Sequence, residues 1–197
     1  MRETQPDQDD EIQAFHRWIA SSTTRRPGIG GSSHVTHCDF IPPSAVKAYL
    51  GADRRVECLL TSLFGKEAPR TIDADVVREH YVRPLVILLL IGEGPMIKHF
   101  VQYRSLQDHR LPYRSRPEDF PFSSDPNFFK RFHDHQWQFC AADLEYNMNL
   151  HLHKEEILPI TRKEEIGHGG NAIICKINVD GEYNKLVPQR WKMPVRS

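Results

Sequence analysis

Apolar residues recur at helical spacing through the first half of the chain and at alternate positions near its end. Val56, Leu59, Leu60, Leu63 and Phe64 follow the i, i+3, i+4, i+7, i+8 pattern, with Arg54, Arg55 and Glu57 facing out and Gly65 as the stop, so this stretch predicts an amphipathic helix. Upstream, Ile12, Phe15 and Ile19 with Trp18 predict a short helix capped by Asp9 or Asp10. Pro42-Pro43-Ser44 opens another, carrying Ala45 to Leu50 up to Gly51. Asp73 can cap a helix bearing Val76, Val77 and Tyr81, which Pro84 breaks or kinks before the apolar run Leu85 to Ile91. That run marks the centre of a core, as helix or buried strand, and its leucine content favours helix. Met96 to Tyr103 fits both periods: Ile97, Phe100, Val101 and Arg104 suit a helix, and Ile97, His99, Val101 and Tyr103 a strand.

Two stretches break the periodicity. Ser21 to Ser33, with Arg25-Arg26-Pro27-Gly28-Ile29-Gly30-Gly31, reads as a flexible linker. From Leu111 to Phe128, Pro112, Pro117, Pro121 and Pro126 alternate with Phe120, Phe122 and Phe128; prolines at that density predict an extended strap whose aromatics dock on a domain surface. Phe129, Phe132, Trp137 and Phe139 continue the aromatic supply. The runs Thr161 to Ile166 and Ala172 to Val179 are short and partly β-branched and predict a hairpin. The expected fold class is therefore α+β, a mainly helical N-terminal module followed by a β-hairpin. In segments, residues 1–38 are a flexible start with one short helix, 39–110 the helical module, 111–156 the strap and 157–197 the hairpin, the basic residues 188–197 fraying at the end.

The turn between the two β-runs, Ile166-Gly167-His168-Gly169-Gly170-Asn171-Ala172-Ile173-Ile174, is the motif with chemical meaning. Glycines such as Gly167 and Gly169 lack a Cβ and can adopt φ > 0, so a backbone built on them can close over an anion and turn N–H groups toward it. A glycine-rich loop after a strand either opens a helix, in dinucleotide-binding folds, or bends back into a second strand over ATP, in protein kinases. A strand follows here. The segment resembles the G-x-G-x-x-G-x-V loop of protein kinases, with Ile166 and Ile174 at the positions that cover adenine. Glu155 to Ile160, Lys163 to Gly170 and Asn184-Lys185-Leu186, with Asp134 to Cys140 and Glu145 to Leu150 upstream, are similar to the entry to the kinase region in filamentous-fungal serine/threonine kinase-like proteins. The similarity runs from about Phe40 onward.

That resemblance implies a truncated N-terminal, regulatory part of a protein kinase-like protein whose class binds ATP and phosphorylates serine or threonine. ATP would meet the backbone of Gly167, Gly169 and Gly170, weakly or not at all in this chain alone. The departures are specific: Ala172 stands at the third glycine, Asn171 at the loop tip and Ile174 at the valine. No Val-Ala-Ile-Lys strand, His-Arg-Asp loop or Asp-Phe-Gly follows, Lys176 and Lys192 lying in other contexts. Phosphoryl transfer needs those metal-holding and catalytic groups, so no catalytic residue is assigned and the chain alone is expected to be inactive.

Composition narrows the remaining classes. Lys plus Arg and Asp plus Glu number 26 each, leaving no net field to attract nucleic acid or a membrane surface. Short helices with a small β-element resemble a winged helix, but no Lys/Arg-rich recognition helix is present, which argues against DNA. The apolar run Leu85 to Ile91 is far short of the roughly 20 residues a membrane span requires. The acidic start, Asp7, Asp9, Asp10 and Glu11, has no signal-peptide character, and a cytoplasmic or nuclear protein is expected. The four cysteines stand singly. The pairs His133/His135 and His151/His153, each read as two imidazoles on one side of a strand, and the group His34, His37, Cys38 match no zinc-site spacing, so no metal ligand is assigned. The alternative function is a non-catalytic interaction module, winged-helix-like in arrangement, whose helices bind a protein partner.

Overall fold

The computed structural model describes residues 8–21, 25–30, 38–52, 54–146, 153–170 and 172–186. The fold is α+β. The described residues form two units, each assembled from separate stretches of chain: one from Met1–Arg25 and Ile41–Phe139, the other from Arg26–Phe40 and Cys140–Ser197. The expected segment boundaries at 38, 110 and 156 do not follow this interleaved division.

The first unit is helical. Helix α1 (Gln8–Ala20) buries Phe15 and Ile19, four residues apart, on one stripe. Proline opens α2 (Pro43–Gly51), where its missing N–H costs nothing, and Val46 and Leu50 point inward. The predicted helix around Leu59 is α3 (Arg55–Phe64), ended by Gly65 at φ 63°. Its Arg55 turns back to α1, with Nη1 donating to Glu11 Oε2 at 2.6 Å.

After the short helix α4 (Ala68–Thr71) comes α5 (Ala74–His80), where Asp73 Oδ1 accepts from the Asp75 N–H at 2.8 Å, the cap the sequence announced. The apolar run is helix α6 (Val82–Leu90), with Leu85 to Leu88 fully buried. Pro84 sits in its first turn, where no intrahelical donor is lost. The first N–H groups of α6 are satisfied from a distance: Asp108 Oδ2 accepts from Val82 at 2.9 Å and Oδ1 from Arg83 at 2.7 Å. Residues 96–104 resolve toward helix, as a one-turn α7 (Ile97–Phe100) with Ile97 and Phe100 buried.

Residues 111–127 hold neither helix nor strand, as their prolines require. Tyr113 is tied by a side-chain amide used like a strand neighbour: Gln136 Oε1 accepts from its N–H at 2.7 Å and Gln136 Nε2 donates to its carbonyl at 2.9 Å. Gln136 is fully buried, so both bonds offset its desolvation. The strap's Phe120 packs among Phe100, Phe128 and Phe132, with ring centroids 5.1 to 5.4 Å apart. Beyond it the aromatics belong to helix α8 (Phe128–Gln136), whose Phe128, Phe132 and Gln136 form an i, i+4, i+8 buried stripe. His133 and His135 therefore lie on a helix and not on a strand.

The second unit corrects the linker expectation. Arg26–Gly30 is strand β1, the centre of an antiparallel sheet between β2 (Cys38–Phe40) and β4 (Ile157–Leu158). Gly28 is required there, because a Cβ would lie 2.8 Å from the Leu158 carbonyl oxygen and 2.9 Å from that of Cys38. Arg26 forms an ion pair with Asp180, itself nearly buried. Strand β3 (Leu144–Glu145) runs parallel to β7 (Asn184–Lys185), and Tyr183 meets Phe40 edge to face at 5.4 Å. The hairpin is β5 (Ile160–Gly169) with β6 (Ala172–Val179). Residues 188–197, expected to fray, and His34, His37 and His151 lie outside the described residues.

Candidate functional site

Strand β5 leaves β4 across Pro159, and β5 and β6 pair antiparallel from Ile160↔Val179 up to Gly169↔Ala172. Register slips twice, between Ile160 and Arg162 and between Glu165 and Gly167, so Ile166 is an unpaired bulge residue beside the Gly167↔Ile174 pair. The bulge sets Ile166 and Ile174 next to the glycines, and both are more than half exposed. Among the predicted site residues, Ile166, Gly167, Gly169, Gly170 and Ile174 are thus brought together at one end of a projecting ribbon.

The glycines divide into two kinds. Gly170 has φ 51° and makes the turn; a side chain there would be strained. Gly167 and Gly169 are in strand, not at positive φ as the sequence reading allowed, and a Cβ on either would meet nothing within 4 Å. Neither local conformation nor packing demands glycine at these two positions. Asn171 lies outside the described residues.

Near the tip His168 Nε2 lies 2.7 Å from Glu165 Oε1, Arg162 Nη2 reaches Glu164 Oε2 at 4.0 Å, and Glu164 stands opposite Lys176 in the register. An anion at the tip would therefore rely on backbone N–H groups more than on side-chain cations. Among the described residues no carboxylate pair, nucleophile–base pair or lysine is set against the loop in the manner phosphoryl transfer requires.

A concave feature belongs to the helical unit. A cleft of about 530 Å³ is lined by Val76, His80, Tyr81, Val101, Gln102, Arg104 and Gln107. Burial pushes the Tyr81 phenol up, and its hydroxyl donates to the Tyr103 carbonyl at 3.1 Å. These residues come from α5, α7's end and the turns beyond, and no spacing in the sequence links them. Among the described residues no group of three or more His, Cys, Asp or Glu side chains is placed to hold a metal. Among the described residues no disulfide is formed, and no helix is long and apolar enough to cross a membrane.

Compared with protein-family models, curated proteins and solved structures, the chain matches none of them.

Proposed function

We propose that this chain carries the N-terminal region and first hairpin of a protein kinase-like protein, of the filamentous-fungal serine/threonine kind its sequence resembles, and that the hairpin contacts ATP without catalysis by this chain. The observation that carries the reading is the pair Gly167 and Gly169, glycines in open space for which the fold has no steric use. Missing side chains at those positions leave the backbone approachable by a phosphate. Ile166 and Ile174, exposed beside them, supply the apolar surface on which an adenine would rest. The rest of the phosphoryl-transfer machinery is absent from the sequence, which limits the role to nucleotide contact.

Titration of the full chain with Mg-ATP, followed by amide chemical shifts, tests this. The expected result is saturable shifts confined to Gly167, Gly169, Gly170 and their strand neighbours. Unchanged shifts there sink the nucleotide reading. The second reading, a non-catalytic protein-interaction module, draws on Phe122, which is 87% exposed with the Arg116 guanidinium 4.5 Å over its ring. Exposed aromatic and arginine side chains are enriched at protein interfaces.

A further inference from the structure

The two long strands of the ribbon differ as edges. Strand β5 carries Arg162, Lys163, Glu164 and Glu165 in succession, the kind of charge run that discourages further strand pairing. Strand β6, Ala-Ile-Ile-Cys-Lys-Ile-Asn-Val, has one charge, Lys176, which already faces Glu164. Among the described residues β6 pairs with β5 alone, so its far edge presents unpaired backbone groups along an apolar, β-branched segment. Ile173, Ile174 and Ile177 are all exposed on it. Such an edge is a template for another strand.

We infer that the β6 edge pairs with the β6 edge of a second copy of this chain, antiparallel, about a two-fold axis at Cys175. The sequence selects both occupant and register. A two-fold normal to the sheet keeps each face on its own side, so a residue must oppose one an even number of positions away. Centring on Lys176 would set two ammonium groups directly opposite, which is destabilising. Centring on Ile174 shortens the overlap and sets Lys176 against Ala172. Centring on Cys175 sets Ile173 opposite Ile177 of the second copy, twice by symmetry, and Lys176 opposite Ile174. Each Lys176 then keeps its own Glu164 on the other side. The strand is thus self-complementary in apolar contact at one register, with no lysine directly opposite another. The result is a four-stranded sheet, β5-β6 joined to β6-β5, with a charge-guarded strand at each outer edge.

This pairing does not rest on nucleotide contact, because it uses the edge of β6 and not the glycine tip. It also supplies its own reporter. Directly opposed residues of antiparallel strands have Cα atoms about 4.5 to 5.5 Å apart, within the span of a disulfide. Diamide, reduced to its hydrazine as two thiols become one disulfide, should therefore join Cys175 to Cys175 between copies. The full chain is examined by sedimentation over a concentration series, and its oxidised dimer by peptide mapping. The expected result is a reversible dimer whose cross-link is Cys175–Cys175, not one through Cys38, Cys58 or Cys140. Cys175→Ser should lose the cross-link and keep the dimer. Ile173→Lys, at a position exposed in the single chain, should lose the dimer with the far-UV spectrum unchanged. A monomer at every concentration, a cross-link through another cysteine, or a dimer indifferent to Ile173→Lys overturns the proposal.

Discussion

Helix α6 and the hairpin carry comparable runs of branched aliphatic residues and treat them in opposite ways. Leu85 to Leu88 are fully buried, whereas Ile166, Ile173, Ile174 and Ile177 are 40 to 62% exposed. The cause is geometric. A helix concentrates its apolar residues in a stripe that one packing partner can cover, and a core of helices supplies partners on every side. A two-stranded ribbon turns alternate residues to opposite faces and can cover neither by itself. The first run is explained within its own unit; the second faces outward, where the proposed nucleotide and the proposed second strand would cover it.

The widest gap between the regions should appear on truncating one large apolar side chain in each. Phe132, fully buried against Phe100, Phe120 and Tyr113, should cost about 3–5 kcal/mol when changed to alanine. Ile174→Ala should cost under about 1 kcal/mol, mostly lost strand preference. Urea unfolding of both variants by far-UV circular dichroism makes the comparison, and equal losses would show that the ribbon packs as core.

A smaller effect is expected at Gly28, which resembles the tip glycines in sequence and differs in every contact. The Cβ of Gly28→Ala meets two carbonyl oxygens at 2.8 and 2.9 Å and Ile157 Cγ2 at 2.9 Å, and backbone atoms cannot swing aside. Overpacking of this kind costs about 1–3 kcal/mol. Lost amide protection in β1, β2 and β4 reads it, while Gly167→Ala should leave protection there unchanged. Protection surviving in Gly28→Ala would mean that the paired sheet admits a Cβ there without cost.

What the sequence disclosed follows the same divide between local and distant causes. Helix α3 was legible from its apolar period and Gly65, α5 from Asp73, and the hairpin from β-branched residues around glycines, because each signal lies within the element. Strand β1 was not. Arg26-Pro27-Gly28-Ile29-Gly30 has the composition of a linker and becomes a strand only through partners at Cys38–Phe40 and Ile157–Leu158. Helix α8 was obscured because its Phe128, Phe129 and Phe132 continue a proline-aromatic stretch, and its burial depends on Phe100 and Phe120 from elsewhere. At the candidate site, the glycines and isoleucines could be named from sequence. That Gly167 and Gly169 have no steric duty while Gly170 and Gly28 do could be seen only once the neighbours were in place.

The smallest effect separates two aspartates of the helical unit by the direction of their pH dependence. Burial pushes Asp108 above the ordinary carboxyl value, opposed by the N–H groups and guanidinium of Arg83 and the N–H of Val82. Its protonation is therefore easier in the folded chain, and its contribution is present below the unfolded value and lost as pH rises through the folded one. Asp125 has the reverse sign: Arg131, with Nη1 donating to Oδ2 at 2.8 Å, and then the Asn127 N–H hold it below the ordinary value. Its contribution is present above the unfolded value and lost as pH falls through the folded one. Arg131→Gln should raise the Asp125 midpoint, read from its carboxyl chemical shift, and leave that of Asp108 in place. Arg131 also donates to the Ile91 carbonyl, so a loss of stability alone would not isolate the ion pair, whereas the Asp125 midpoint does. An unmoved midpoint would assign the depression to the Asn127 N–H and leave the ion pair, as a solvent-exposed one commonly is, without measurable effect.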